Sequence, residues 1–432
     1  MRHFARSGWS SFLVAFLCST TINATPLLSL KQATQIAIHN NRDLTAARAN
    51  VAIAKARLVQ AGLWTNPILN LSSNDDSALT NEGEYTRSAG FSQAFPISGR
   101  IRQQKKVARI DIAKAIVEIK EAERKLTQSV ANAFYALNIT QRRLHQLNYL
   151  SRLNRQLVDV THNRYLAAEV SELDSNTAQL EYQRIKQEIQ LLTSIQIGQS
   201  ATFNQLLGYS TTQKVTLNPQ LPKLSPLPDL GRLQAIALSH RPDRQAILLN
   251  VQRAGAEMRL ARAERYADWI LGLSVQQDKI VVEGAPPQYA DKSLGVNLSV
   301  PLPLLNGNQG RILEAGATGT QALMGLRAID LTIKTEVASN YEQLKLLQTT
   351  LFQTQKTSLQ LTLKNISLAR DAYKNGQVSL LNLIQIQRQQ NELQTVYLTN
   401  WERYLQASVA LCTAVGTGKA MAFCDYLVYK RN

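Results

Sequence analysis

Proline placement constrains this chain more than any other feature. None occurs from residue 97 to 218 or from residue 304 to 432. Elsewhere prolines cluster, at Pro67 and Pro96, at Pro219, Pro222, Pro226, Pro228 and Pro242, and at Pro286, Pro287, Pro301 and Pro303. A proline inside a helix removes a hydrogen bond and clashes with the preceding turn, so two long proline-free tracts rich in Ala, Leu, Gln, Lys and Glu predict long helices. The spacing predicts a helix over 99–167, which would be ~100 Å long at ~1.5 Å per residue. Leu150, Leu153, Leu157 and Val160, like Leu344, Leu347 and Leu351, recur at three- and four-residue steps among polar residues. No single globular core can use such a helix; a coiled-coil wall with one packed seam and one wet face can.

The two halves echo each other. Ala37, Asp43, Ala46, Asn50, Val51, Ala54, Ala56 and Ala61 are matched at one constant offset by Ala237, Asp243, Ala246, Asn250, Val251, Ala254, Ala256 and Ala261. Further on, Tyr165-Leu166-Ala167-Ala168-Glu169-Val170-Ser171-Glu172-Leu173-Asp174 is echoed by Tyr373-Lys374-Asn375-Gly376-Gln377-Val378-Ser379-Leu380-Leu381-Asn382. Collinear matches of this kind point to internal duplication. The expected first repeat spans 25–218, with an opening helix over 29–63, strands near 67–75 and 85–96, the long helix over 99–167 and a helix over 170–207. An extended proline-rich linker follows at 219–229. The second repeat spans 230–412, with strands near 268–276 and 293–302, a long helix over 308–375 and a helix over 378–412; residues 413–432 form a tail.

The strands carry the membrane argument. Trp269, Leu271, Leu273 and Val275 alternate with Ile270, Gly272 and Ser274, and Leu294, Val296, Leu298 and Val300 alternate with Gly295, Asn297 and Ser299. Such alternation marks strands with one apolar and one polar face, and their length matches the ~9–11 residues of a tilted membrane strand. Trp64, Tyr266 and Trp269 at the helix–strand junctions, with Tyr85 and Tyr289 near the far ends, are placed as two interfacial aromatic belts. Hairpins on a soluble core are the competing reading. Four strands do not close a barrel, which takes about eight, so the membrane reading requires several protomers.

Residues 1–24 have the layout of a secretory signal peptide: Arg2 and Arg6, an apolar run over 12–17, and a small-residue cleavage site at Ile22-Asn23-Ala24. Cys18 follows Leu17, which is bulky for lipoprotein processing. No later apolar stretch reaches the ~18 residues of a membrane helix. The balance is basic, Lys and Arg 48 against Asp and Glu 31, yet export argues against nucleic acid as the partner. The densest basic group, Arg100, Arg102, Lys105, Lys106 and Arg109, reads as a solvated helix face.

With these features in place, the chain resembles the TolC-type outer-membrane efflux family, and within it the heavy-metal branch of CzcC and CusC. The likeness covers nearly the whole mature sequence. It is carried by the duplicated opening helix, the two tip turns, Phe95-Pro96-Ile97-Ser98-Gly99-Arg100, and the most branch-specific run, Pro301-Leu302-Pro303-Leu304-Leu305-Asn306-Gly307-Asn308-Gln309-Gly310-Arg311. The resemblance implies a mainly α fold with membrane β: a trimeric, 12-stranded outer-membrane β-barrel continued by a 12-helix periplasmic α-barrel. It implies a homotrimer docked to a periplasmic adaptor and a proton-driven inner-membrane pump of the resistance-nodulation-division type, passing heavy-metal cations outward. It also places the tip turns at the periplasmic entrance, with Glu169, Glu172, Asp174 and Tyr373 there, and with Asn382 and Gln385 where acidic residues occur in relatives. Helix capping is the competing reading of these carboxylates.

Chemistry-bearing patterns are sparse. His39, His145, His162 and His240 lack the close spacing of a metal site, so neither metal nor cofactor is expected. Cys412 and Cys424 either pair or stay free in an oxidising compartment. Gly416-Thr417-Gly418-Lys419-Ala420 looks like the end of a phosphate-binding loop but lacks its earlier glycine and the hydroxyl after lysine, and it ends a helix. No nucleophile–base constellation stands out, so an enzyme is not expected. Three other readings compete: a drug-efflux or secretion duct of the same fold, a periplasmic adaptor, and a poreless structural coiled coil. The two hairpins and membrane-length strands speak against the last two.

Overall fold

The computed structural model describes residues 27–76, 83–222, 224–282, 284–286, 288–416 and 424. The expected signal peptide, Cys18, the phosphate-loop-like Gly418 and Lys419, and most of the 413–432 tail lie outside the described residues. In chain order the first half comprises α1 (Leu30–Asn40), α2 (Arg42–Gln60), β1 (Ile68–Asp75), β2 (Tyr85–Phe95), α3 (Arg100–Leu166) and α4 (Glu172–Leu207). The second comprises α5 (Leu230–His240), α6 (Pro242–Ala263), β3 (Trp269–Lys279), β4 (Asp291–Ser299), α7 (Gln309–Gln353), a π-helical turn (Thr354–Ser358), α8 (Leu359–Lys374) and α9 (Leu380–Val415). α3, with 67 residues, is ~100 Å long.

One helix was expected over 29–63; the structure has two. Asn41 adopts extended backbone (φ −63°, ψ 124°), its side-chain oxygen accepts from the Leu44 amide, and its Nδ2 donates to the Leu206 carbonyl. Arg241, two hundred residues on, repeats that backbone (φ −64°, ψ 126°) ahead of Pro242, which opens α6 where no amide is needed. Each break lets the chain turn against the C-terminus of a long helix. Those termini match as well, with Gly208 after α4 and Gly416 after α9 both at φ 75°, a left-handed conformation glycine adopts without strain. The long helix of the second half also differs from expectation, since the π-turn interrupts it.

The packed core sits at the middle of the molecule. Phe134 and Leu137 of α3, Phe203 and Leu207 of α4, Leu233 of α5 and Trp401, Tyr404 and Leu405 of α9 form one buried cluster. Trp401 and Tyr404 meet edge to face at 5.6 Å. The proline-rich linker runs as coil over this belt, tied down by Asn138 donating to the Asn218 carbonyl and Gln348 donating to the Ser225 carbonyl. Cys412 and Cys424, both fully buried, are joined by a disulfide with Cα atoms 5.8 Å apart.

The strands form one antiparallel sheet in the order β1-β2-β3-β4, so β2 and β3 join the two halves. Directly paired residues share a face. Leu69, Phe91, Leu273 and Val296 therefore form one apolar row, and Leu71, Ala89, Val275 and Leu294 the next. The opposite face carries Asn70, Gly90, Ser274 and Gly295, then Ser72, Ser88, Gln276 and Ser293. β1 and β4 are left as open edges within the chain. The helices continue the strand order: α2 packs on α3, α3 on α6 and α6 on α7.

Candidate functional site

Two regions carry the residues singled out from sequence, the sheet with its junction to the helices and the tip of the helical hairpins. At the junction, Trp64 meets Phe95 edge to face at 5.8 Å, and Phe95 is paired with Trp269 across β2 and β3. Trp64, Tyr266 and Trp269 are exposed at this end, whereas Tyr85 and the almost fully exposed Tyr289 lie at the far end. The aromatics thus flank the apolar rows on both sides. Of the dense basic group, Arg102, Lys106 and Arg109 are exposed, Lys105 lies across Gly62, and Arg100 is bound. Arg100 donates from Nε and Nη2 to Asp268 at 2.9 and 2.5 Å, a two-pronged link from the start of α3 to the residue before β3.

At the tip, the turn after α3 passes through Ala168 at φ 59° and its counterpart after α8 through Gly376 at φ 70°. Ser171 caps α4 and Ser379 caps α9, both at ψ 157°. Asp174 completes a capping box: its Oδ2 accepts from the Ser171 hydroxyl at 2.8 Å, while its own amide donates to Ser171 Oγ. Glu169 accepts from Arg164 Nε at 3.0 Å. Glu172, Asn382 and Gln385 are exposed. Tyr373 is the buried member of the set, and the Arg164 guanidinium lies 5.8 Å from its ring centre. Burial pushes the Tyr373 phenol up, outweighing the opposing pull of Arg164. The structure therefore brings Glu169 and Tyr373 together through Arg164, and leaves Glu172, Asn382 and Gln385 facing outward.

Behind the tip lies a contact that sequence reasoning missed. Glu181 of α4 is only 4% exposed and accepts from Arg388 of α9 at 3.0 and 2.5 Å and from Arg184 at 2.8 Å. Burial alone would raise its carboxyl, but the hydrogen bonds from Arg184 and Arg388 win and hold it below the usual carboxylate range. Beside it Ala178, Ile366, Ala369, Tyr373, Leu380, Leu383 and Ile384 form a small separate apolar cluster. Glu181 and Arg388 are 207 residues apart, and one sequence carries no signal that pairs them.

The histidines His39, His145, His162 and His240 are exposed and dispersed, and among the described residues no group of three His, Cys, Asp or Glu is placed to hold a metal ion. No helix among them is long and apolar enough to cross a membrane.

A two-faced sheet whose strands run directly into long helices defines the class, a duplicated helical-hairpin fold built on one antiparallel sheet. The chain belongs to the outer membrane efflux protein family, whose sequence pattern it matches over residues 33–209 and 233–417, once in each half. Solved structures agree in fold. The chain is similar to the outer-membrane channel OprN (19% identity, TM-score 0.69, covering 90% of this chain and 89% of that one). It is similar to CusC (18%, 0.72, 91% and 93%) and to the open state of the MtrE outer-membrane channel of Neisseria gonorrhoeae (15%, 0.70, 90% and 88%). Among curated proteins no sequence match is found. Family and structural neighbours are channel proteins and not enzymes.

Proposed function

We propose that this chain is one protomer of a homotrimeric outer-membrane efflux duct that passively conducts cargo delivered by a periplasmic adaptor and a proton-driven inner-membrane pump. The observation that carries this reading is the sheet, with apolar rows on one face, small polar residues on the other and open edges at β1 and β4. In lipid an unpaired strand edge leaves several backbone groups without partners, so β1 of one protomer pairs with β4 of the next. Three copies of four strands close a barrel wide enough for a channel. The helices extend it into the periplasm, and the tips form its entrance. There Glu169, Glu172 and Asp174, with Asn382 and Gln385, line the ring through which cargo enters, and Tyr373 packs behind them as part of the gate.

For the cargo we favour heavy-metal cations. The run from Pro301 to Arg311 resembles that of the metal branch, and Asp278 stands opposite Asp291 on the polar face near the far end of the sheet, where departing cations would pass. A drug or secretion duct of the same fold is the second reading, because the fold is matched about as well by the channels OprN and MtrE as by CusC and so selects no cargo. Two measurements test these levels separately. The purified protein should form conducting pores in planar bilayers; protein that folds and trimerises without conducting would end the channel reading. A deletion strain should grow poorly on zinc, cobalt, cadmium, nickel, copper or silver and normally on dyes and antibiotics. Sensitivity to drugs alone would end the metal assignment and leave the duct intact.

A further inference from the structure

At the end of the sheet farthest from the helices, charge is divided between the two faces. The register places Ser73, Arg87, Gln277 and Lys292 in one row and Asp75, Tyr85 and Lys279 in the next, both continuing the apolar face beyond Leu71, Ala89, Val275 and Leu294. At the same level the other face carries Asn74, Thr86, Asp278 and Asp291. Cations thus cap the apolar face and carboxylates the polar one, with Asp75 the exception, an exposed carboxylate 3.9 Å from Arg87. Arg87 is held over the Tyr85 ring at 4.6 Å with its side chain 58% exposed. Along β2 the nine residues from Phe95 to Arg87 have the length of a tilted membrane strand, about 9–11 residues, so the two ends of this row lie near opposite interfaces.

An apolar surface rimmed by cations at one headgroup level fits an anionic amphiphile, whose chains and head group meet the two parts. Resting on the membrane reading above, we propose that this rim binds the phosphates of a phosphorylated glycolipid of the outer leaflet. Arg87, Lys279 and Lys292 are the phosphate ligands, and the acyl chains lie along the rows of Leu69, Phe91, Leu273 and Val296 and of Leu71, Ala89, Val275 and Leu294. Arg87 engages phosphate through its fork, the lysines as mobile point charges. The site anchors the barrel at the outer interface and fixes its depth.

The test uses the purified full-length protein, with bisphosphorylated lipid A, dephosphorylated lipid A and inorganic phosphate as probes, read by native mass spectrometry and thermal melting. The bisphosphorylated lipid should bind, and the triple variant Arg87→Gln, Lys279→Gln, Lys292→Gln should bind it roughly 10- to 100-fold more weakly. The polar-face variant Asp278→Asn, Asp291→Asn should bind like the native protein. Equal affinity in the triple variant, equal binding of the dephosphorylated lipid, or equal loss in the polar-face variant would each overturn the proposal, as would equal stabilisation by inorganic phosphate. Should the triple variant fail to fold, raising salt from about 0.1 M to about 1 M on the native protein decides, because a phosphate site weakens with salt and a purely apolar one does not. Pore formation in planar bilayers separates the two levels. Pores with unchanged lipid affinity sink only the glycolipid site, whereas folded protein that never inserts sinks the membrane reading itself.

Discussion

Glu181 decides how firmly the two halves hold each other near the tip. It is buried, while Arg388 is 57% exposed and Arg184 42% exposed, so the carboxylate is desolvated and its partners remain half in water. Replacing Arg388 by Ala leaves Arg184 in place, and we expect a loss of about 1–2 kcal/mol, below that of a fully buried pair. Denaturant unfolding of the native protein and Arg388→Ala measures it. If the tip is the entrance, the same variant conducts more in planar bilayers, and unchanged conductance would separate the clamp from gating. The pH dependence has a definite sign. Because the folded carboxyl is held below its ordinary value of 4.5, its contribution is complete above that value and is lost as pH falls through the lower folded one. The difference in melting temperature between native protein and Glu181→Gln should therefore hold at neutral pH and shrink on acidification below about pH 4. Asp174 teaches a different lesson at this scale. Its three-residue spacing from Ser171 was readable as a cap, and the structure has that cap; an acidic ring needs neighbouring protomers, which one chain does not supply.

Among elements, the caps preserve the duplication better than the residues do. Ser29 and Asp229, Asn41 and Arg241, Ser171 and Ser379, and Gly208 and Gly416 occupy corresponding ends in the same backbone regions, though only two of these pairs keep the residue type. The two glycines differ in surroundings. A Cβ at Gly208 would sit 2.5 Å from the Asn40 carbonyl oxygen, whereas one at Gly416 would meet Arg241 Cγ at 3.1 Å, a milder clash. Gly208→Ala should cost well over the ~1–2 kcal/mol of left-handed backbone alone, and Gly416→Ala less than Gly208→Ala. Melting of both variants tests the order; a larger loss at Gly416 would refute it. Long helices were legible because proline exclusion over many residues is a strong signal, and strands β3 and β4 because their alternation is regular. The joints at Asn41 and Arg241 were missed, since apolar spacing continues across both. Pro242, already noted as one of a cluster, was the available sign.

For the molecule as a whole, the sheet predicts a sharp asymmetry between neighbouring positions. Leu273 lies in an apolar row midway between the two rims, and Ser274, one residue on, lies on the polar face. Leu273→Arg should destabilise membrane insertion by about 2–4 kcal/mol, and Ser274→Arg by far less. Heat-modifiable mobility of the folded protein in lipid and its level in the outer membrane check this, and equal effects would mean that the two faces meet the same medium. Pairing between β2 and β3 could not be read from sequence, because 173 or more residues separate the partners and nothing local selects which edges meet. For the same reason the Arg100–Asp268 link and the Glu181–Arg388 clamp emerged only in three dimensions.

That β2–β3 pairing has a mechanical consequence. At the membrane end the two halves are stitched by a continuous ladder running from Tyr85 opposite Lys279 to Phe95 opposite Trp269, and Arg100 is fastened to Asp268 immediately beyond. At the other end, some hundred ångströms of helix away, they are held by a small apolar cluster, one shared carboxylate and Arg164 against the Tyr373 ring. Between them the buried belt around Phe134, Phe203 and Trp401 joins the halves again at mid-length, so only the helix beyond that belt forms two lightly latched arms, like tweezers riveted partway along. Parting the tips asks little of the ladder, and a push delivered beyond the belt is felt most at the tips.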